Sequence, residues 1–330
     1  MTSQPYVLPD VSSGQPPAPP AKPAWPLPVW IIPDGIMALL GTLVLSIIVV
    51  IVYIVFQIGS GANVQDLFGP NGTSIPSSLL FGLLLAQNLA FASVVLLRTR
   101  VIRKLPLGWP GLTAPRPFRL IGWGIAFGIL FVSLNFIIGM IFSYFGIESD
   151  QAELFQMERG DTLGQVLMFL GAVVAAPIGE ELFFRGYAFK ALRENSSRRT
   201  IAVIAIQLLV VIGLPLVIML ALSVFSWADV SLLVASLAAA LGLSALVPSP
   251  RVRAYLISSA FFSVVHLSGI NQGAIALLAA TFIGGLCLAG AFDRTGSILP
   301  SIIAHAVNNS VAFGNLIYCV NTYGSVQNCG

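Results

Sequence analysis

Runs of apolar residues recur along the chain, separated by short polar or basic stretches and lacking the strict alternation of half-buried strands. With a yardstick of roughly 20 apolar residues per crossing, the pattern predicts about nine helical spans. They fall at 36–58, 77–97, 118–145, 162–190, 201–225, 230–247, 254–267, 274–292 and 298–313. The pair at 201–247 reads as a hairpin turning around Trp227 and Asp229. The expected fold class is therefore all-α, a polytopic transmembrane helical bundle, because helices satisfy every backbone group within lipid.

Composition strengthens this reading. Hydrophobic residues make up 57% of the chain and charged ones 9%, against about 45–50% and 25% in ordinary soluble domains, which excludes a soluble globular protein. Ten of the 21 prolines lie in residues 1–35, so that segment reads as a disordered cytoplasmic tail. It lacks the basic start, apolar core and small-residue cleavage site of a signal peptide, and the first apolar stretch is expected to stay as an anchor. The N-terminal transmembrane helices then occupy 36–145, and residues 314–330 form a second tail.

Charge placement gives an orientation. With the amino terminus inside, 14 of the 16 basic residues fall in cytoplasmic segments, as the positive-inside rule requires. Arg98 is among them; Arg159 falls outside and Arg185 within a span. Nine spans place the carboxyl terminus on the extracytoplasmic side. An integral protein of a prokaryotic plasma membrane is expected, with the bilayer as its surroundings. The formal net charge of +3, carried at segment ends, suggests no nucleic-acid partner. Three cysteines form no metal-binding or redox motif. Cys319 and Cys329 lie in the extracytoplasmic tail, where a disulfide can persist, whereas Cys287 is expected to stay a buried thiol.

Candidate chemistry lies in the few polar groups inside these spans. The fourth carries Glu180, Glu181 and Arg185 in PIGEELFFRGYAF. Each charge costs about 2.5–3.5 kcal/mol at a helix centre. Glu181 and Arg185 stand at i and i+4 and can pair, which leaves Glu180 without a local partner. A poorly hydrated carboxylate of that kind suits a general base. The chain has two histidines, and both lie in apolar segments: His266 one turn after Phe262, and His305 one turn before Asn309. Counted from the cytoplasmic helix ends, Glu180, His266, His305 and Asn309 lie at compatible depths, roughly 10–20 Å into the membrane. One shared cavity can therefore hold them, although interhelical hydrogen bonding is an ordinary role for each alone.

Glu180–Glu181–Arg185 as E-E-x-x-x-R, Phe262–His266 as F-x-x-x-H and His305–Asn309 as H-x-x-x-N together resemble the CAAX prenyl protease and bacteriocin-processing (CPBP) family of intramembrane proteases. The resemblance covers about residues 162–313, a catalytic core into which the hairpin 201–247 is inserted. It implies endopeptidase hydrolysis of membrane-bound or lipidated peptides. Glu180 and His266 would activate water, and His305 and Asn309 would form the oxyanion site. Glu181, Arg185 and Phe262 would give structural support. The family is labelled metalloprotease, and Glu180, His266 and His305 could supply three zinc ligands. The absence of H-E-x-x-H and the presence of Asn309 favour a cofactor-free reaction, with zinc as the alternative. Two readings from other classes compete: a noncatalytic membrane adaptor, and a transporter, which the lack of an evident inverted repeat disfavours.

Overall fold

A computed structural model describes residues 26–61, 76–147, 159–213, 242, 244–266 and 273–324, and contains helices but no strand among them. Five helices are long and apolar enough to cross a membrane: α1 (Leu27–Gly59), α2 (Ser77–Ile102), α3 (Pro117–Tyr144), α4 (Thr162–Asn195) and α7 (Gly273–Thr295). The bundle is completed by α5 (Arg198–Leu208), α6 (Pro250–Val264) and α8 (Leu299–Tyr323). The all-α membrane bundle thus stands, with five such helices among the described residues. Most of the expected hairpin at 201–247 lies outside them.

Two boundaries differ most from the sequence pattern. The first helix begins at Leu27, so residues 27–35 are helical and do not belong to an extended tail. Pro28 sits in the first turn, where a missing N–H costs nothing, and Asp34 is fully buried in a polar contact. At the other end α8 continues past 313 to Tyr323 and stops at Gly324, whose positive φ of 90° closes the helix. Asn315 and Asn321 dilute the apolar signal there, yet Asn321 exchanges two amide hydrogen bonds with Gln165 at the start of α4, at 3.0 and 3.2 Å. Cys319 near this end is disulfide-bonded; its expected partner Cys329 lies outside the described residues. Cys287 is a free, buried thiol.

Small residues bring the helices together. A Cβ on Gly124 or Gly128 of α3 would stand 2.6 Å from Ile303 or 2.7 Å from Val307 of α8, so the Gly-x-x-x-Gly spacing lets these backbones approach. The core gathers on the second half of α4, where Phe184 packs edge-on against Phe91 and Phe262, Phe189 against Phe292, and Tyr187 against Phe183. By contrast α1 leaves Leu43, Ile47, Ile51 and Val55 exposed, the surface a helix presents to lipid.

At one end of the bundle, Arg193 of α4 and Arg251 of α6 both pair with Asp293 of α7. Asp293 holds the Arg251 guanidinium above its ordinary pKa through this hydrogen bond. Arg253 also donates to the Ser196 carbonyl at 2.6 Å. These contacts put the basic ends of three helices on the same side, as the charge pattern requires. Arg98 departs from that pattern: it lies within α2, buried on Asp34.

Candidate active site

The fourth helix is not regular. Two stretches widen to π-helical hydrogen bonding, Gly171–Ala175 and Leu182–Phe189, and between them lie Glu180 and Glu181. Pro177 supplies a local cause for the first, since it has no N–H to return to the Val173 carbonyl. Gly179 lets α2 approach next to the acids, because a Cβ there would sit 2.4 Å from Asn88 Oδ1. Helix widening of this kind often marks functional positions, where it re-aims side chains.

The two acids have different surroundings. Glu181, fully buried, accepts from Arg185 Nη1 at 2.9 Å and from His305 Nδ1 at 2.9 Å through the same Oε1. Arg185 also donates to the Gly285 carbonyl of α7 and lies 4.2 Å over the Phe262 ring. Phe262 in turn packs against His266, with ring centroids 4.4 Å apart. Phe262 is therefore sandwiched between the guanidinium and the imidazole, a supporting position.

Glu180 faces the histidines. Its Oε2 lies 3.5 Å from His266 Nε2 and 4.0 Å from His305 Nε2, and has no hydrogen-bond partner. His266 Nδ1 is 2.6 Å from the Phe262 carbonyl, which can only accept. That contact puts a proton on Nδ1, so a neutral His266 presents its Nε2 lone pair to the carboxylate. In that state the two acceptors need a donor between them, and water can donate to both.

Asn309 stands in the same cavity, and its Nδ2 donates to the Ala172 carbonyl at 2.8 Å, leaving one amide hydrogen for another acceptor. The structure therefore brings Glu180, His266, His305 and Asn309 together from α4, α8 and the residues just beyond α6. Two further amides went unnoticed in the sequence: Asn308 donates to Asn309 Oδ1, and Asn135 of α3 donates to Asn308. The doubled Asn of HAVNN was a visible signal for the former; a lone Asn in an apolar helix gave little for the latter.

The cavity holds about 690 Å³. Its rim includes Leu39, Phe136, Val265 and Val311, each at least 51% exposed, so it opens toward the lipid-facing surface. As to zinc, no group of three or more His, Cys, Asp or Glu side chains among the described residues is arranged to hold a metal ion.

Fold and site together define an integral membrane protein with an acid–imidazole centre enclosed by apolar helices. Residues 162–246 and 230–311 match the family described as Type II CAAX prenyl endopeptidase Rce1-like, which bears out the resemblance carried by the three motifs. The match includes Glu180, His266, His305 and Asn309, whereas α1, α2 and α3 lie outside it. The matched family is one of CAAX prenyl endopeptidases. No curated protein and no solved structure matches the chain.

Proposed function

We propose that the protein hydrolyses a peptide bond of a prenylated or otherwise membrane-bound peptide, with Glu180 and His266 activating a water molecule. The observation that carries this reading is the unpaired Glu180 Oε2 beside the Nε2 atoms of both histidines. Water between Glu180 and His266 gives a proton to Glu180, and the resulting hydroxide adds to the scissile carbonyl carbon. The carbonyl oxygen gains negative charge, which Asn309 meets with its free amide hydrogen and His305 with Nε2–H. Collapse breaks the C–N bond, and the proton on Glu180 passes to the leaving nitrogen. The products are a carboxylic acid and an amine, which exchange a proton to leave as carboxylate and ammonium.

For His305 to donate from Nε2 while Nδ1 serves Glu181, the ring must carry both protons. Its charge then balances the excess of two carboxylates over one guanidinium in the cluster. Glu181 and Arg185 act by fixing His305 and the Glu180 turn, without touching substrate. No step is assigned to a metal. The amino terminus is placed on the cytoplasmic side, following the basic residues.

The test is cleavage of a farnesylated peptide with a Cys-aliphatic-aliphatic-X end by purified protein in lipid. After prolonged chelation the rate is expected to persist. Loss of activity on chelation, restored by zinc alone, would reverse the metal-free assignment in favour of Glu180, His266 and His305 as ligands. A protein that cleaves no such peptide but retains a tight partner in its membrane would instead support the adaptor reading.

A further inference from the structure

The cavity around Glu180 extends well beyond the reacting groups, and its size lies within the range of about 300–1,000 Å³ that encloses organic ligands. Carboxamides are unusually frequent on its walls: Gln87 from α2, Asn135 from α3, and Asn308, Asn309 and Asn315 from α8. Three of them form a chain whose direction is dictated by one atom. The Ala172 carbonyl can only accept, so Asn309 must present Nδ2 to it, at 2.8 Å. Asn309 Oδ1 is thereby the acceptor for Asn308 Nδ2, and Asn308 Oδ1 the acceptor for Asn135 Nδ2, at 3.3 and 3.0 Å. The chain ends on Asn135 Oδ1, a buried acceptor without a partner. Gln87 also makes no hydrogen bond within the described residues.

A peptide opened for attack has surrendered its own helical hydrogen bonds around the scissile link. In a poorly hydrated cavity each unpaired N–H or C=O is costly. A carboxamide offers one acceptor and a donor group, the complement of a peptide unit. We propose that Gln87 and Asn135 bind the backbone of the substrate peptide beside the scissile bond, with Asn135 Oδ1 accepting a backbone N–H. Helices α2 and α3, which lie outside the matched family residues, thereby supply the peptide-holding wall that faces the catalytic groups. This inference rests on the peptidase reading and adds the groups that position its substrate.

The experiment uses the farnesylated peptide above and a series in which each backbone amide in turn is replaced by an ester, removing one N–H. KM and kcat are measured for wild type, Gln87→Leu, Asn135→Leu and Asn135→Asp, and peptide affinity is measured separately on a Glu180→Gln background. Asn135→Leu is expected to raise KM about tenfold, the worth of one buried hydrogen bond, and Gln87→Leu to raise it by a similar factor. One ester position should weaken binding to wild type yet have no added effect on Asn135→Leu. Asn135→Asp keeps an acceptor oxygen toward the cavity but gives up the donor to Asn308, so its overall affinity falls while its sensitivity to that ester position should persist. Equal ester penalties in wild type and Asn135→Leu, or no ester sensitivity at that position in Asn135→Asp, would overturn the assignment. A chain that binds the peptide in an Asn135-dependent way but does not cleave it would uphold the inference while sinking the peptidase reading.

Discussion

Two buried polar clusters lie on α4 within two turns of each other, and they are completed to different degrees. Around Asp34, both carboxylate oxygens are used: Arg98 donates through Nε and Nη2 at 2.6–3.1 Å, and Tyr187 Oη donates at 2.5 Å. Arg98 also stacks 4.3 Å over Trp30, and no side-chain atom of Asp34, Arg98 or Tyr187 is buried without a partner. Around Glu180 and Glu181, by contrast, Glu180 Oε2, Glu181 Oε2 and Arg185 Nε are all left open. A closed cluster clamps α1, α2 and α4. An open one keeps unpaired polar atoms, of which Glu180 Oε2 belongs to a residue lining the cavity, at a cost in stability that the packed fold must offset.

The largest effect expected from breaking the open cluster is on rate. His266→Ala and His305→Ala should each lower cleavage by about 10²–10⁴-fold, the range for removing an acid–base or oxyanion group. Combined with each other the losses should fall well short of their product, since both groups act on one water and one oxyanion. Steady-state rates of the single and double variants on the farnesylated peptide check this; fully multiplicative losses would mean that the two histidines act independently and not on one shared transition state.

In the closed cluster the effect should be on folding. Arg98→Leu strands Asp34 among helices and should destabilise the protein by about 3–5 kcal/mol, read from the thermal midpoint in lipid or detergent. Glu181→Gln should fall in the same class, because it leaves Arg185 without its counter-charge, and should lower folded yield before it lowers the rate of the molecules that fold. If Arg98→Leu instead melted like wild type, the clamp would not be holding the three helices.

A smaller effect sharpens the comparison at the far end of α4. Asn321→Leu removes the reciprocal amide pair with Gln165, and interhelical hydrogen bonds of this sort contribute about 0.6 kcal/mol on average. The midpoint should shift slightly and the cleavage rate should remain near wild type. A loss comparable to that of Arg98→Leu would mean that the helical extension beyond residue 313 is a principal support of α8.

The open cluster was legible in the sequence because acids and histidines are rare within apolar helices, so Glu180, Glu181, Arg185, His266 and His305 stood out by type alone. The closed cluster was not. Arg98 occurs among Arg100, Arg103 and Lys104, and reads as one more basic residue at a helix end; Asp34 sits in a Pro-rich stretch that reads as tail. Their pairing across 64 positions is a tertiary fact that no local pattern carries. The π-helical stretches of α4 were equally hidden, since only Pro177 announced a disturbance. Of the amides, Asn309 was visible through its turn from His305, whereas Asn135 acquires meaning only once α3 and α8 close on their glycine stripe.

The central claim is that the open cluster performs the chemistry and the closed cluster holds the helices. It is tested most directly by comparing Glu180→Gln with Asp34→Asn, each measured for thermal midpoint and for cleavage rate per folded molecule. Glu180→Gln should lose at least about a hundredfold in rate while melting within a degree or two of wild type, and Asp34→Asn should melt markedly lower while its folded molecules cleave at the wild-type rate. Full activity in Glu180→Gln would contradict the account.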